Sequence, residues 1–98
     1  MHRQVVFRPE ADTELAETRA WYTGRQPDLG ERFAADIERT VVRITESPKA
    51  FPKVRGETRR AILRRFPYAI YFRELDNTIV VLAVHGRQDP KRWQSRRE

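Results

Sequence analysis

Apolar positions along this chain keep a helical period in the first half and a strand period in the second, and Pro48 marks the change. Gln4-Val5-Val6-Phe7 is a short apolar run that predicts a strand, ended by Arg8-Pro9. Proline suits the first turn of a helix, where its missing N–H costs nothing. Ala11, Leu15, Thr18 and Tyr22 then fall on one helical face. Glu10, Asp12 and Glu14 stand in the first turns, where the helix dipole favours negative charge, and read as solvent-facing dipole partners. Gly24 predicts the stop, and Pro27-Asp28-Leu29-Gly30-Glu31 predicts a restart, with Asp28 and Glu31 spaced as a capping box. Leu29, Phe33, Ile37, Val41 and Ile44 mark the stripe of this second helix, which runs to about Ser47-Pro48. So short a connection predicts an antiparallel hairpin.

After Pro48 the runs shorten. Residues 59–65 (RRAILRR) and 68–73 (YAIYFR) read as strands separated by Phe66-Pro67, with a short extra strand around Phe51 to Val54. Residues 79–84 (IVVLAV) follow the turn Asp76-Asn77 and are continuously apolar, which predicts a central strand covered on both faces. Asp89-Pro90 is an N-cap followed by proline, so a short terminal helix is expected through Trp93. The pattern is α+β: a two-helix hairpin packed on a mainly antiparallel sheet of four to five strands, ordered β-α-α-β-β-β, with a short C-terminal helix.

Composition narrows the chemistry. With 98 residues there is room for one small domain over 1–98 and one site. Cysteine is absent and the two histidines are far apart in sequence, so thiol chemistry and a structural zinc have no ligands. No nucleotide-binding, serine-hydrolase, zinc-protease or calcium-loop spacing occurs, and no cofactor is expected. Neither a secretion signal nor a membrane span is legible, which points to a cytoplasmic protein without membrane contact. Residues 1–47 carry seven arginines and nine acids, a net of −2, whereas residues 48–98 carry thirteen basic and five acidic residues, a net of +8. The positive potential therefore belongs to the strand-rich half.

Strand alternation sorts these charges. Arg60, Ile62 and Arg64 share one face, opposite Arg59, Ala61, Leu63 and Arg65, and Tyr68, Ile70 and Phe72 oppose Ala69, Tyr71 and Arg73. With Ile70 and Phe72 assigned to the helix-covered core, the open face carries Tyr71, Arg73, Arg60 and Arg64, with Arg87 nearby. Clustered arginines beside an aromatic ring can hold a phosphate backbone and stack a base, or simply form a solvated face that protects strand edges. His85 has the side chain of a general acid or base, and equally that of a strand-end residue bonding the following turn. Trp93 reads as the anchor of the terminal helix, and of Trp21 and Tyr22 only one can point fully inward.

These residues together resemble the RelE/ParE superfamily of type II toxin–antitoxin toxins, on the ParE-like, plasmid-stabilisation side. The resemblance spans nearly the whole chain: VVFRPEADTEL, WY, LGERFAADIE, SPKAFP, RRAILRRFPYAIYFRE and IVVLAVHGRQDPKRW carry it. It implies an N-terminal strand beside the last one, and a cognate antitoxin whose acidic, partly disordered C-terminal segment wraps the toxin. Operator DNA is then reached only through the antitoxin. It also implies one of two targets. ParE-like members poison DNA gyrase; RelE-like members cut messenger RNA, usually on the ribosome. Arg59, Arg60, Arg64 and Arg65 occur without lysine, Tyr68-Ala69 stands where ribonuclease members commonly have arginine, and Trp93 where some have tyrosine. Arg87 alone clearly matches a ribonuclease-type position. The expectation is accordingly a gyrase-directed inhibitor, touching its target or nucleic acid through Arg59, Arg60, Arg64, Tyr71, Arg73 and Arg87. The alternatives are a ribosome-dependent endoribonuclease using Arg60, Arg64, His85 and Arg87, and a non-toxic antitoxin-binding partner.

Overall fold

The computed structural model describes residues 3–86, and Arg87, Asp89-Pro90, Trp93 and the expected terminal helix lie outside them. Strand β1 (Gln4–Phe7) leads into helix α1 (Pro9–Arg25) and helix α2 (Pro27–Glu46). A 3-10 turn at Pro48–Ala50 follows, then β2 (Lys53–Arg55), β3 (Thr58–Ile62), β4 (Tyr68–Leu75) and β5 (Thr78–Gly86). The five strands form one sheet in the order β1-β5-β4-β3-β2. Its only parallel pair is β1 with β5, and the pairs β5–β4, β4–β3 and β3–β2 are antiparallel. Both the α+β class and the placement of the first strand beside the last are as the sequence implies, and the short extra strand is β2.

The helix junction differs from the expected one. Gly24 does not end α1, which continues to Arg25; Gln26 alone, at φ −161° and ψ 122°, separates the helices. Pro27 explains this, because a residue before proline is driven out of the helical region into extended backbone. The capping box does not form either: Gln26 is the N-cap, with no side-chain hydrogen bond, and Asp28 instead pairs with Arg32 at 3.1 Å. Gly30 lets the hairpin close, since a Cβ there would run into Oγ1 of Thr23 and crowd the carbonyl of Arg19 at 3.1 Å. Around Gly24, by contrast, a Cβ would meet nothing within 4 Å. Gly24→Ala is therefore expected to raise stability by up to ~0.5–1 kcal/mol, and Gly30→Ala to lower it by about 1–2 kcal/mol. Thermal unfolding of the two variants should move in opposite directions from the wild type.

The core lies between the helix hairpin and one face of the sheet. Phe33, Ile37 and Ile44 of α2 and Ala11 of α1 meet Ala61, Leu63, Ile70, Phe72, Ile79, Val81 and Val84. Leu15, Tyr22 and Val41, also on the expected stripes, pack at its margin. At the end of the sheet where β4 begins, Tyr22, Phe33, Phe66 and Tyr68 form an aromatic cluster, with ring centroids 4.9 Å apart for Tyr22–Phe66 and 5.5 Å for Phe33–Tyr68. Burial and then the neighbouring Tyr68 raise the Tyr22 phenol above its ordinary pKa. Trp21, next to Tyr22, turns outward and is 53% exposed, with the Arg25 guanidinium 4.3 Å from its ring centroid.

β5 is central, between β1 and β4, and among the described residues helices cover one of its faces. A bulge interrupts its pairing with β4: Phe72 faces Val81 and Tyr71 faces Ala83, so Leu82 is the extra residue. An extra residue moves every later side chain to the opposite face. Strict alternation from Ile79 and Val81 would send His85 toward the helices; the bulge sends it to the open face, where it pairs across from Ala69.

Candidate functional site

The open face is built by β3, β4 and the second half of β5. Arg60 pairs with Tyr71, and Tyr71 with Ala83, so Arg60, Tyr71 and Arg73 share this face as expected. The Tyr71 ring lies 5.9 Å from that of His85. Arg73 donates through Nε to the Thr58 hydroxyl at 3.2 Å. Exposed Val6, Ile62 and Leu75 fall on the same face by register and make its periphery apolar.

Two expected members lie elsewhere. Arg64 does not join Arg60, because β3 ends at Ile62 and the chain turns before Arg64, which lines a hollow beside α2 with Asp36, Arg39 and Arg43. Alternation holds only while the strand lasts. Arg59 points to the other side of β3, where its guanidinium donates to the carbonyl of Phe51 at 2.7 Å. Arg87 lies outside the described residues.

Glu14 is the residue that sequence reasoning missed. It does not face solvent: it is 2% exposed, and so is His85. Its Oε2 is 2.7 Å from His85 Nε2, and its Oε1 accepts the backbone N–H of Val84 at 2.8 Å. The cause is a gap in the sheet. β1 pairs with β5 only as far as Val81, leaving the rest of β5 with an unpaired edge, and α1 runs along it. Glu14 supplies the acceptor that a longer β1 would have supplied. Its signal was in the spacing, three residues after Ala11 and four before Thr18, on the buried face of α1.

A carboxylate accepting through both oxygens requires the imidazole proton on Nε2, which leaves His85 Nδ1 as the other ring atom. That Nδ1 is buried without a hydrogen-bond partner, and so is Nε of Arg60. Among the described residues these are the two buried side-chain polar atoms left unpaired, and they flank Tyr71. Unsatisfied buried polar atoms are rare, and two on one face make it the candidate site.

A second buried acid plays a comparable role on the helix side. Asp36, 1% exposed, accepts the backbone N–H groups of Arg65 and Phe66 through Oδ2 at 2.9 and 3.1 Å. Each helix thus reaches the sheet with one buried carboxyl group. Among the described residues no three His, Asp or Glu side chains converge as metal ligands would, and no helix is long and apolar enough to cross a membrane.

A helix hairpin packed on a β1-β5-β4-β3-β2 sheet is the fold of the RelE/ParE toxins. Residues 5–90 match the family model of the ParE toxin of the type II toxin–antitoxin system parDE, and the chain belongs to that family. It is similar to Toxin ParE2 of Mycobacterium tuberculosis, 29% identical over 92 residues that cover 92% of this chain and 88% of the relative. In structure it is similar to a chain of the chromosomal ParDE system of P. aeruginosa, with a TM-score of 0.75 and 18% identity, covering 87% of this chain and 96% of the other. It also superposes on a chain of the M. tuberculosis toxin–antitoxin complex RelBE2, with a TM-score of 0.61 and 24% identity over 89% and 100% of the two chains. The isolated E. coli RelE toxin gives 0.65 and 20% over 96% and 94%. At those identities the structural likeness is one of fold. The protein is a ParE-family toxin of a type II toxin–antitoxin system.

Proposed function

We propose that the chain is a cytoplasmic inhibitor that binds DNA gyrase and traps its DNA-cleavage step, and that a cognate antitoxin with an acidic, partly disordered C-terminal segment holds it inactive. One observation carries the choice of inhibitor over nuclease. His85, the candidate general base, is buried against Glu14, whereas proton transfer to a substrate requires the base within hydrogen-bond reach of the reacting group. What the open face does present is Arg60, Tyr71 and Arg73 rimmed by exposed Val6, Ile62 and Leu75. Tyrosine and arginine are enriched among the residues that carry protein-binding energy, and the exposed aliphatic side chains add apolar area around them. The toxin–antitoxin complexes among the solved relatives support the antitoxin partner.

A second reading, a messenger-RNA endoribonuclease, draws support from the Glu14–His85 contact itself. A carboxylate that orients an imidazole is half of a general acid/base device, and Arg60 beside it suits a developing phosphate charge. The 2′-hydroxyl would attack the adjacent phosphorus, passing its proton to His85 while the 5′-oxygen leaves and takes up a proton. Induction of the chain alone in a bacterium, with RNA 5′ ends and DNA breaks mapped in the same cells, separates the two. Gyrase-dependent DNA breaks without new ends inside codons are expected. New 5′ ends within codons and no such breaks would sink the gyrase reading, and a harmless chain would leave only an antitoxin-binding partner.

A further inference from the structure

A second arginine cluster among the described residues lies off the open face. Arg39, Arg43, Arg64 and Arg65 line a hollow of about 620 Å³ between the second half of α2 and the loop joining β3 to β4, with Val42 and the buried Asp36. None of the four arginines makes an ion pair with a described residue. Asp36, the one acid present, is already committed to the N–H groups of Arg65 and Phe66. Arg43 donates to the Thr40 hydroxyl and to the carbonyl of Ile62, and so is fixed in place, while Arg39, Arg64 and Arg65 stand exposed. Burial, and then the charge of Arg64, lower the Arg43 pKa from its ordinary value, with only Asp36 opposing them. Four guanidinium groups are gathered here against the one buried carboxyl group of Asp36.

We propose that this groove binds the phosphate backbone of duplex DNA. Three features select that occupant. Guanidinium forks match phosphate oxygens in pairs. No exposed aromatic ring lines the hollow, so the stacking that holds single strands is missing. Val42, 52% exposed, is its one aliphatic residue, and the rest of its apolar surface belongs to arginine stems, so paired guanidinium groups rather than a hydrophobic pocket distinguish it; released counterions drive the binding of a polyanion to such a surface. Phosphate contacts carry no base sequence, so this site does not itself recognise an operator. The inference rests on the gyrase reading for its purpose, which is to grip the DNA held by the poisoned enzyme, but it is measured with DNA alone.

The test uses the full purified chain and a fluorescently labelled 20-base-pair duplex of arbitrary sequence, with anisotropy followed across salt concentration. Neutralising four phosphates gives a slope of log affinity against log salt of about −3.6, a loss of about 150-fold between 50 and 200 mM. Arg39→Ala/Arg64→Ala, which removes two exposed side chains that make no hydrogen bond or ion pair with a described residue, should make the slope less negative by about 2. Arg19→Ala/Arg32→Ala removes the same charge from the other part of the hairpin and should keep the wild-type slope. Arg39→Lys/Arg64→Lys should retain most of the binding. Equal losses in the two alanine pairs, or no saturable binding at 50 mM salt, would overturn the assignment. So would displacement of the duplex by poly-glutamate as readily as by unlabelled duplex, since an acidic protein segment would then be the better occupant. Failure of this site with gyrase poisoning intact would leave the gyrase reading standing, and the converse result would leave the groove.

Discussion

Glu14→Ala should lower stability by about 3–5 kcal/mol, one of the two largest losses expected from a single change in this chain. The substitution leaves the Val84 N–H and the His85 ring facing a void instead of an acceptor, in a site that admits almost no water. A buried donor without a partner costs about 1–3 kcal/mol, and here two lose theirs together. For a domain of this size the melting temperature should fall by roughly 12 °C or more. Glu14→Gln keeps an acceptor for Val84 and can donate to Nε2 if the imidazole proton moves to Nδ1, so its loss should be clearly smaller. Thermal unfolding of the three proteins decides the matter. If Glu14→Ala changes stability by less than ~0.5 kcal/mol, the strand-edge role of Glu14 is wrong.

Phe33→Ala should cost a similar amount, about 3–5 kcal/mol, by a different route. Phe33 is fully buried and touches three other rings: Tyr22 stacks on it at 5.6 Å, and Phe66 and Tyr68 meet it edge-on at 5.4 and 5.5 Å. Removing the ring opens a cavity between α1, α2 and the start of β4, and it deletes aromatic pairs worth about 0.5–1.5 kcal/mol each beyond their area. Phe33→Leu fills most of the space and should lose roughly half as much. Urea unfolding should show the midpoint shift with the slope preserved. Near-equal midpoints for Phe33→Ala and wild type would mean that the helix hairpin is not seated on the sheet through this cluster.

The contrast between these two sites explains what the sequence could and could not convey. Phe33 was legible because α2 repeats its apolar residues over about four turns, and no competing reading fits Leu29, Phe33, Ile37, Val41 and Ile44. β1, β4 and β5 were legible for the same reason, as were the inward Ile70 and Phe72. Glu14 was not, because an acid in the first turns of a helix already has a sufficient explanation in the dipole; only the missing length of β1 creates a demand for it at the strand edge.

His85 shows a further limit. The string IVVLAVH does not reveal that Leu82 is an extra residue in the pairing, yet that bulge decides which face His85 takes. Arg64 was misplaced by carrying alternation past the end of β3, and the helix junction by weighing Gly24 above the steric constraint that Pro27 puts on Gln26. Each of these errors concerns where an element stops or slips. Those are the points at which tertiary hydrogen bonding overrides a local pattern.

The consequence for function is that the described basic residues of the strand-rich half divide between two surfaces. Arg60 and Arg73 stand with Tyr71 on the open sheet face, whereas Arg64 and Arg65 stand with Arg39 and Arg43 beside α2. The first surface has exposed aliphatic residues around it and suits a protein target; the second is lined by four arginines with Val42 and Asp36. Under the proposed gyrase reading, the first surface would meet the enzyme and the second its DNA.

The most direct measurement combines the purified chain with purified gyrase and supercoiled plasmid, and in parallel with ribosomes translating a defined messenger. The expected result is linear plasmid covalently attached to gyrase, rising with toxin concentration, and an intact messenger. A messenger cut within codons, with gyrase turning over normally, would contradict the claim that this ParE-family toxin acts by binding rather than by catalysis.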